Sequence, residues 1–253
     1  MKGFRYKPVG WKGESHRHYL AAKGIKTKVN PIVYHPVKGK AYVAVGTDAK
    51  GRTVRQYALE FKQKQSKLKF KRTIQLEKKH PAVLKKIEKD LSASNDFTRQ
   101  NAEVAYIIAK TGARPGSDID TKADVKAYGI TTLEDKHAVV VGNSAKLKFI
   151  GKKGVQQNIE LKDKKLREIV KRRKKESTKQ LFPHSTAASL RNYLRTVGVK
   201  NTKDLRTVHA TKLAKKLNTK GVDQKKVVEK VATELGNTPA VTRASYISPE
   251  VFK

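Results

Sequence analysis

The chain has 253 residues, with 58 Lys and Arg against 22 Asp and Glu, so its formal net charge is +36. A hydrophobic fraction of 37% is enough to build a core in one large domain or two small ones, which excludes a purely disordered basic tail. The absence of cysteine excludes disulfides, thiolate metal sites and thiol nucleophiles. A positive charge of this size needs polyanions to offset its self-repulsion, and inside cells the commonest of these are nucleic acids.

In chain order, residues 1–30 form a basic extension with a short helix expected over Ser15–Ala22; His16 and His18 lack a carboxylate or thiol partner, so no metal site is read there. From Pro31 the pattern is β: Ile32–His35, Ala41–Val45, a Gly- and Asp-bearing turn, then Thr53–Leu59. A basic helix is expected from Phe61 to about Glu77, then a break at Pro81 and a second helix through Leu91, with a domain boundary near residues 77–80. Next comes a core helix with Phe97, Val104, Ile107 and Ile108 on one face and Asp96 or Ser94 as its cap. It stops in the polar loop Thr111-Gly-Ala-Arg-Pro-Gly-Ser-Asp118.

A β-hairpin follows, 146–150 and 155–161 around Gly151-Lys-Lys-Gly154. Helices are expected at about 163–176, 185–197, 203–217 and 222–235, the last capped by Asp223 and closed by Gly236. The run Lys171-Arg-Arg-Lys-Lys175 reads as a solvated helix end. The longest apolar runs, Ala105–Ala109 and Ala138–Val141, fall far short of the roughly 20 residues that a membrane helix needs. No secretory signal follows Met1, so an intracellular, DNA-associated protein is expected. The fold class is α+β: a β-rich N-terminal domain over 1–78 and a larger, mainly helical domain over 79–253.

There is no phosphate-cradling Gly-rich loop ending in Lys-Ser/Thr, no His-Glu-x-x-His and no acidic two-metal cluster. Chemistry on nucleic acid would then rely on protein cations. A nucleophile, donors to the phosphoryl oxygens and an acid for the leaving oxygen are needed, and Tyr, Arg and Lys supply all three. Guanidinium forks suit phosphoryl oxygens because they donate two bonds at once.

The order of local motifs carries more than any single residue. Leu235-Gly-Asn-Thr-Pro-Ala-Val-Thr-Arg-Ala-Ser-Tyr246, preceded by Lys203-Asp-Leu-Arg-Thr207, resembles the end of type IB DNA topoisomerases, as does Phe149-Ile-Gly-Lys-Lys-Gly154 at a hairpin tip. Tyr128-Gly-Ile-Thr-Thr-Leu-Glu-Asp-Lys-His137 and Thr111-Gly-Ala-Arg114 resemble the small poxvirus-like and bacterial branch, and Asp48-Ala-Lys-Gly-Arg52 with Gln56-Tyr57 looks like its β-domain.

The resemblance implies a DNA nucleophile at Tyr246 that forms a 3′-phosphotyrosyl link. It implies that Arg114 and Arg206 bind the non-bridging oxygens, and that Lys152, or its neighbour Lys153, protonates the leaving 5′ oxygen. Asn237 stands where many members carry His and would donate a hydrogen bond without titrating. Lys50, Arg52, Gln56, Tyr57, Tyr128 and Lys136 become candidate DNA contacts. The implied enzyme relaxes both signs of supercoil by strand rotation without ATP, metal or other cofactor, acts as a monomer on double-stranded DNA, and closes two domains around it as a C-shaped clamp.

Plainer readings stand beside these: Tyr246 as a core aromatic, the arginines as salt-bridge partners, Lys152 as a solvated turn residue and Asn237 as a helix cap. At the level of the whole chain the alternatives are a tyrosine recombinase and a non-catalytic basic DNA-binding protein.

Overall fold

The alternating apolar residues after Pro31 form strands, as their period of two requires. The computed structural model describes residues 28–29, 32–36, 41–47, 52–121 and 126–253. The expected helix at 15–22 and the turn residues 48–51, Lys50 among them, lie outside these. Residues 1–69 make one compact unit and 70–253 a second.

In the first unit, β1 (Lys28–Val29), β2 (Ile32–Pro36), β3 (Tyr42–Thr47) and β4 (Thr53–Tyr57) form an antiparallel sheet in sequence order. Ala44 stands opposite Gln56 and Val45 opposite Arg55. Arg55 lies over the Tyr42 ring, 5.5 Å from its centre. The last strand was expected to run to Leu59 but stops at Tyr57, whose exposed ring stacks on Phe61 at 5.4 Å and turns the chain into a helix.

That helix, α1, runs unbroken from Leu59 to Asp90 with Pro81 inside it, so the break expected at Pro81 is not there and residues 77–80, where a domain boundary was expected, are helical. Proline withholds one N–H and crowds the carbonyl four residues back, a cost of about 3 kcal/mol. The cost is outweighed because Thr73, Leu76, His80, Val83 and Ile87 recur every three or four residues on one buried face, which a kink would pull out of register. The two compact units divide between Lys69 and Phe70, within α1 rather than after it.

The second unit is built around α2 (Asp96–Thr111), whose residues from Gln100 to Ala109 are all buried. Its cap is Asn95, whose side chain accepts the Thr98 N–H, and not the neighbouring Asp96 or Ser94. Phe97, expected in the core, is exposed; the apolar face becomes buried only beyond the first turn. Three antiparallel strands, β5 (Ala138–Val141), β6 (Ser144–Ile150) and β7 (Gln156–Glu160), pack against helix α4 (Lys164–Glu176), and α5 (Ala187–Thr196), α6 (Thr202–Leu217) and α7 (Gln224–Leu235) complete the unit. Here α3 is the single turn Asp118–Thr121. A further helix, α8 (Pro239–Ser245), was not expected; its signal is Thr238 as cap followed by Pro239 at the first position. The architecture of the described residues is α+β.

The charge run in α4 is not simply a solvated end. Arg173 is buried and donates from Nε to Glu103 at 2.6 Å, and Arg172 bonds the other oxygen of the same carboxylate. Arg173 also reaches Asp96 at 3.1 Å and Glu176 at 3.2 Å. Glu103 has no exposed side-chain surface and sits in the middle of α2, so only a neighbouring helix could neutralise it.

His80 of α1 and His209 of α6 are held neutral. Each has its pKa lowered to about 4, by burial first; Lys212, Lys110 and His209 add to this at His80 against Glu77, and Arg206 and Lys212 at His209 against the Ala109 carbonyl. The unfolded chain takes up these protons near pH 6.5, so it binds more protons than the folded chain between about pH 6.5 and pH 4, and stability falls as pH drops through that window. Urea unfolding at pH 7 and pH 5 should differ by on the order of 2 kcal/mol for each imidazole, roughly 4 kcal/mol for the two. Equal stabilities at the two values would mean that the imidazoles are not held neutral.

Candidate active site

Gly112 ends α2 in the left-handed region (φ 65°), its N–H returning to the Ile108 carbonyl at 2.9 Å, and this turn delivers Arg114. Only glycine fits here: a Cβ would lie 2.6 Å from Leu235 Cδ2 and 2.7 Å from His209 Cδ2. Arg206, buried on α6, donates from Nη1 to the Gly112 carbonyl and from Nη2 to the Leu235 carbonyl at 2.6 Å. One guanidinium thus ties together the C-terminal ends of α2 and α7, where carbonyls lack helical partners.

At the end of α7, Gly236 adopts φ 58° and the Asn237 N–H bonds the Ala232 carbonyl at 2.9 Å. The Asn237 side chain is then free to cross the site: its Oδ1 accepts from Arg114 Nη2 at 2.6 Å. Asn237 Nδ2 and Arg206 Nε are both buried without a hydrogen-bond partner, two donors of the kind a phosphoryl oxygen takes.

Tyr246 caps α8, its N–H bonded to the Thr242 carbonyl at 2.9 Å. The ring is buried beneath two cations, with Arg206 Cζ 5.0 Å and Lys203 Nζ 5.4 Å from its centre. Burial lowers the Arg206 pKa to about 10; the Tyr246 phenol opposes the shift and the Arg114 charge adds to it. The Thr211 hydroxyl donates to the Tyr246 carbonyl at 3.2 Å and accepts from the Ser248 N–H at 3.2 Å, so the helix that carries Arg206 also fixes the backbone of the tyrosine. Below it, Tyr246, Ile247 and Val251 join Ala210, Ala214, Val231 and Leu235 in a second apolar cluster.

Lys152 comes from the tip of the β6–β7 hairpin, where Lys152–Gly154 makes a tight turn and the Gly151 N–H bonds the Val155 carbonyl at 2.8 Å. Lys153 has φ 64°, uncommon for a side chain with a Cβ. Two adjoining clefts of about 350 and 600 Å³ share Arg114, Lys152, Lys203 and Tyr246 as walls; the first adds Arg206 and Tyr128, the second Asn237 and Lys153. Lys152 therefore faces both clefts and Lys153 only one.

All five expected catalytic positions meet in this one place. Tyr128 borders the cleft, and its hydroxyl donates to Glu134 at 3.0 Å; burial first, and then that carboxylate, raises its pKa. Lys136 is not a cleft residue: it is exposed and paired with Glu134 at 2.6 Å. Arg52, Gln56 and Tyr57 belong to the N-terminal unit, at and just before β4. Sequence reasoning missed Lys203 as a site residue. Its signal was its place one helical turn before Arg206, which puts both on the same face of α6.

The family model described as eukaryotic DNA topoisomerase I, catalytic core, matches residues 58–244. The match stops two residues before Tyr246. The chain is 30% identical over 125 residues to DNA topoisomerase 1B of Acanthamoeba polyphaga mimivirus, covering 47% of this chain and 36% of the relative. It thus spans about a third of that relative's length. Among solved structures, a XerH site-specific recombinase bound to palindromic difH substrate in a post-cleavage complex aligns with a TM-score of 0.46 and 17% identity, over 66% of this chain and 47% of that one. The family match spans well over half of the chain and includes the Arg114, Lys152, Arg206 and Asn237 positions, and on it the chain belongs to the eukaryotic DNA topoisomerase I catalytic-core family.

Proposed function

We propose that the chain is a type IB DNA topoisomerase that relaxes positive and negative supercoils through a transient single-strand break. The observation that carries this reading is Tyr246 set beneath Arg206 and Lys203, with Arg114, Lys152 and Asn237 around the same clefts. Tyr246 Oη gives its proton to solvent and attacks a backbone phosphorus. Arg114 and Arg206 hold the non-bridging oxygens, and Asn237 adds a neutral donor through Nδ2. As the bond to the 5′ oxygen breaks, its electron pair stays on that oxygen, which takes a proton from Lys152 Nζ. The exposure of Lys152 to both clefts supports it over Lys153 as the acid.

The phosphotyrosyl ester keeps the free energy of the phosphodiester that it replaces. The freed 5′-hydroxyl can therefore reverse the step with neither nucleotide hydrolysis nor a metal, after the broken strand has turned about the intact one. Both units contribute duplex contacts, the N-terminal one through Lys50, Arg52, Gln56 and Tyr57 and the other through Tyr128 and Lys136. One protomer contains the whole catalytic set.

Supercoiled plasmid incubated with the chain in EDTA, without ATP, should relax stepwise from either sign. No relaxation of either sign would overturn the proposal, and strand exchange between two specific sites would point to a recombinase instead.

A further inference from the structure

The Gln157 side chain lies between two glycines on different elements. A Cβ on Gly151 would stand 3.1 Å from Gln157 Cγ, and a Cβ on Gly236 only 2.2 Å from Gln157 Nε2 and 2.8 Å from Cδ. Gly151 immediately precedes Lys152, and Gly236 immediately precedes Asn237. Gln157 is fixed in β7 opposite Phe149 of β6, so its side chain projects from the hairpin that carries Lys152 to the α7 cap that presents Asn237. A side chain at Gly236 would displace the glutamine and one at Gly151 would press on it tightly, and at Gly236 the positive φ independently demands glycine.

From this packing we infer that Gln157 is a positioning residue for Lys152, a spacer that seats the hairpin tip against the end of α7 and so sets where the leaving-group acid stands relative to Asn237 and Arg114. The inference rests on the proposed role of Lys152. An exposed lysine at a hairpin tip has many rotamers and a mobile base; a spacer wedged between two backbones removes the base's freedom and leaves only the side chain's. The contact is one of shape. An unbranched side chain of the same length should serve, and a truncated one should not.

The step affected is protonation of the 5′ oxygen as the phosphorus–oxygen bond breaks and the bond to Tyr246 Oη forms. A substrate with sulfur in place of that bridging oxygen departs as a stable thiolate and needs no proton, which separates a misplaced acid from a general defect. Single-turnover cleavage by the full chain would be measured on a duplex oligonucleotide carrying its mapped cleavage site, with oxygen or sulfur at the bridging position. Gln157→Ala should cleave the oxygen substrate about tenfold to a hundredfold more slowly, at unchanged duplex affinity, because a small misplacement of a catalytic group is enough for that loss. It should cleave the sulfur substrate within about twofold of wild type. Gln157→Met should match wild type on both, and thermal melts of both variants control for folding.

Lys152→Ala serves as the reference, slow on oxygen and restored on sulfur. Equal slowing of Gln157→Ala on both substrates, or none on either, while Lys152→Ala is restored, overturns the inference alone. Failure of sulfur to restore Lys152→Ala removes the acid role itself, and the inference with it.

Discussion

Tyr246→Phe should abolish both plasmid relaxation and the protein–DNA adduct trapped by SDS, while duplex affinity stays within about twofold. The substitution removes one oxygen from a ring that is otherwise buried, backed by the Ala210–Leu235 cluster and overlaid by Arg206 and Lys203, so the packing that holds α8 and the chain beyond it is kept. The backbone at 246 is pinned by Thr211 and Thr242 through main-chain groups, which the change does not touch. Among the described residues of the C-terminal unit, the other three tyrosines are engaged elsewhere. Tyr128 is bonded to Glu134, and Tyr106 and Tyr193 are buried against Asp163 and Asp90 respectively. Persistence of a 3′-linked adduct in Tyr246→Phe would show that the nucleophile lies elsewhere, and a loss of affinity along with the adduct would point to a structural role.

Glu103→Ala should destabilise the C-terminal unit by about 3–5 kcal/mol, far more than any surface charge change, because it strands a buried guanidinium. Glu103 binds Arg172 and Arg173 at once. Arg172 can turn to solvent, but Arg173 is buried and would keep only Asp96 and Glu176, both partly exposed. Urea unfolding followed by circular dichroism checks this. A loss below about 1 kcal/mol would mean that the pair only breaks even against its desolvation.

Those two residues also mark where the sequence could and could not be read. That Tyr246, Arg206, Arg114 and Lys152 belong together was legible because each lies in a local motif whose order along the chain carried information that a lone cation could not, and the structure brings the four to the same clefts. The hairpin, the αL cap at Gly236 and the apolar stripe of α7 were legible because Gly and 3.6-residue periodicity act locally. The buried half of the Lys171–Lys175 run was not, since nothing local distinguishes an arginine facing water from one facing a carboxylate on another helix. Pro81 misled for the same reason: its local penalty is visible in sequence, whereas the packing that overrides it runs from Thr73 to Ile87. Gln157 was invisible because its partners are glycines, which offer no side chain to pair with.

The two carbonyls that hold Arg206 have one more consequence. A surface arginine has roughly 2 kcal/mol of rotamer entropy to lose when it grips an anion. Here that ordering is already complete before any duplex arrives, because Nη1 and Nη2 are committed to Gly112 and Leu235. In the proposed reaction the charge would be delivered to the scissile phosphate by a scaffold that has no reorganisation left to do, while flexible lysines elsewhere would supply the long-range attraction. Under that proposal grip and capture would fall to different cations, with Arg206 held as firmly as the core in which it is embedded.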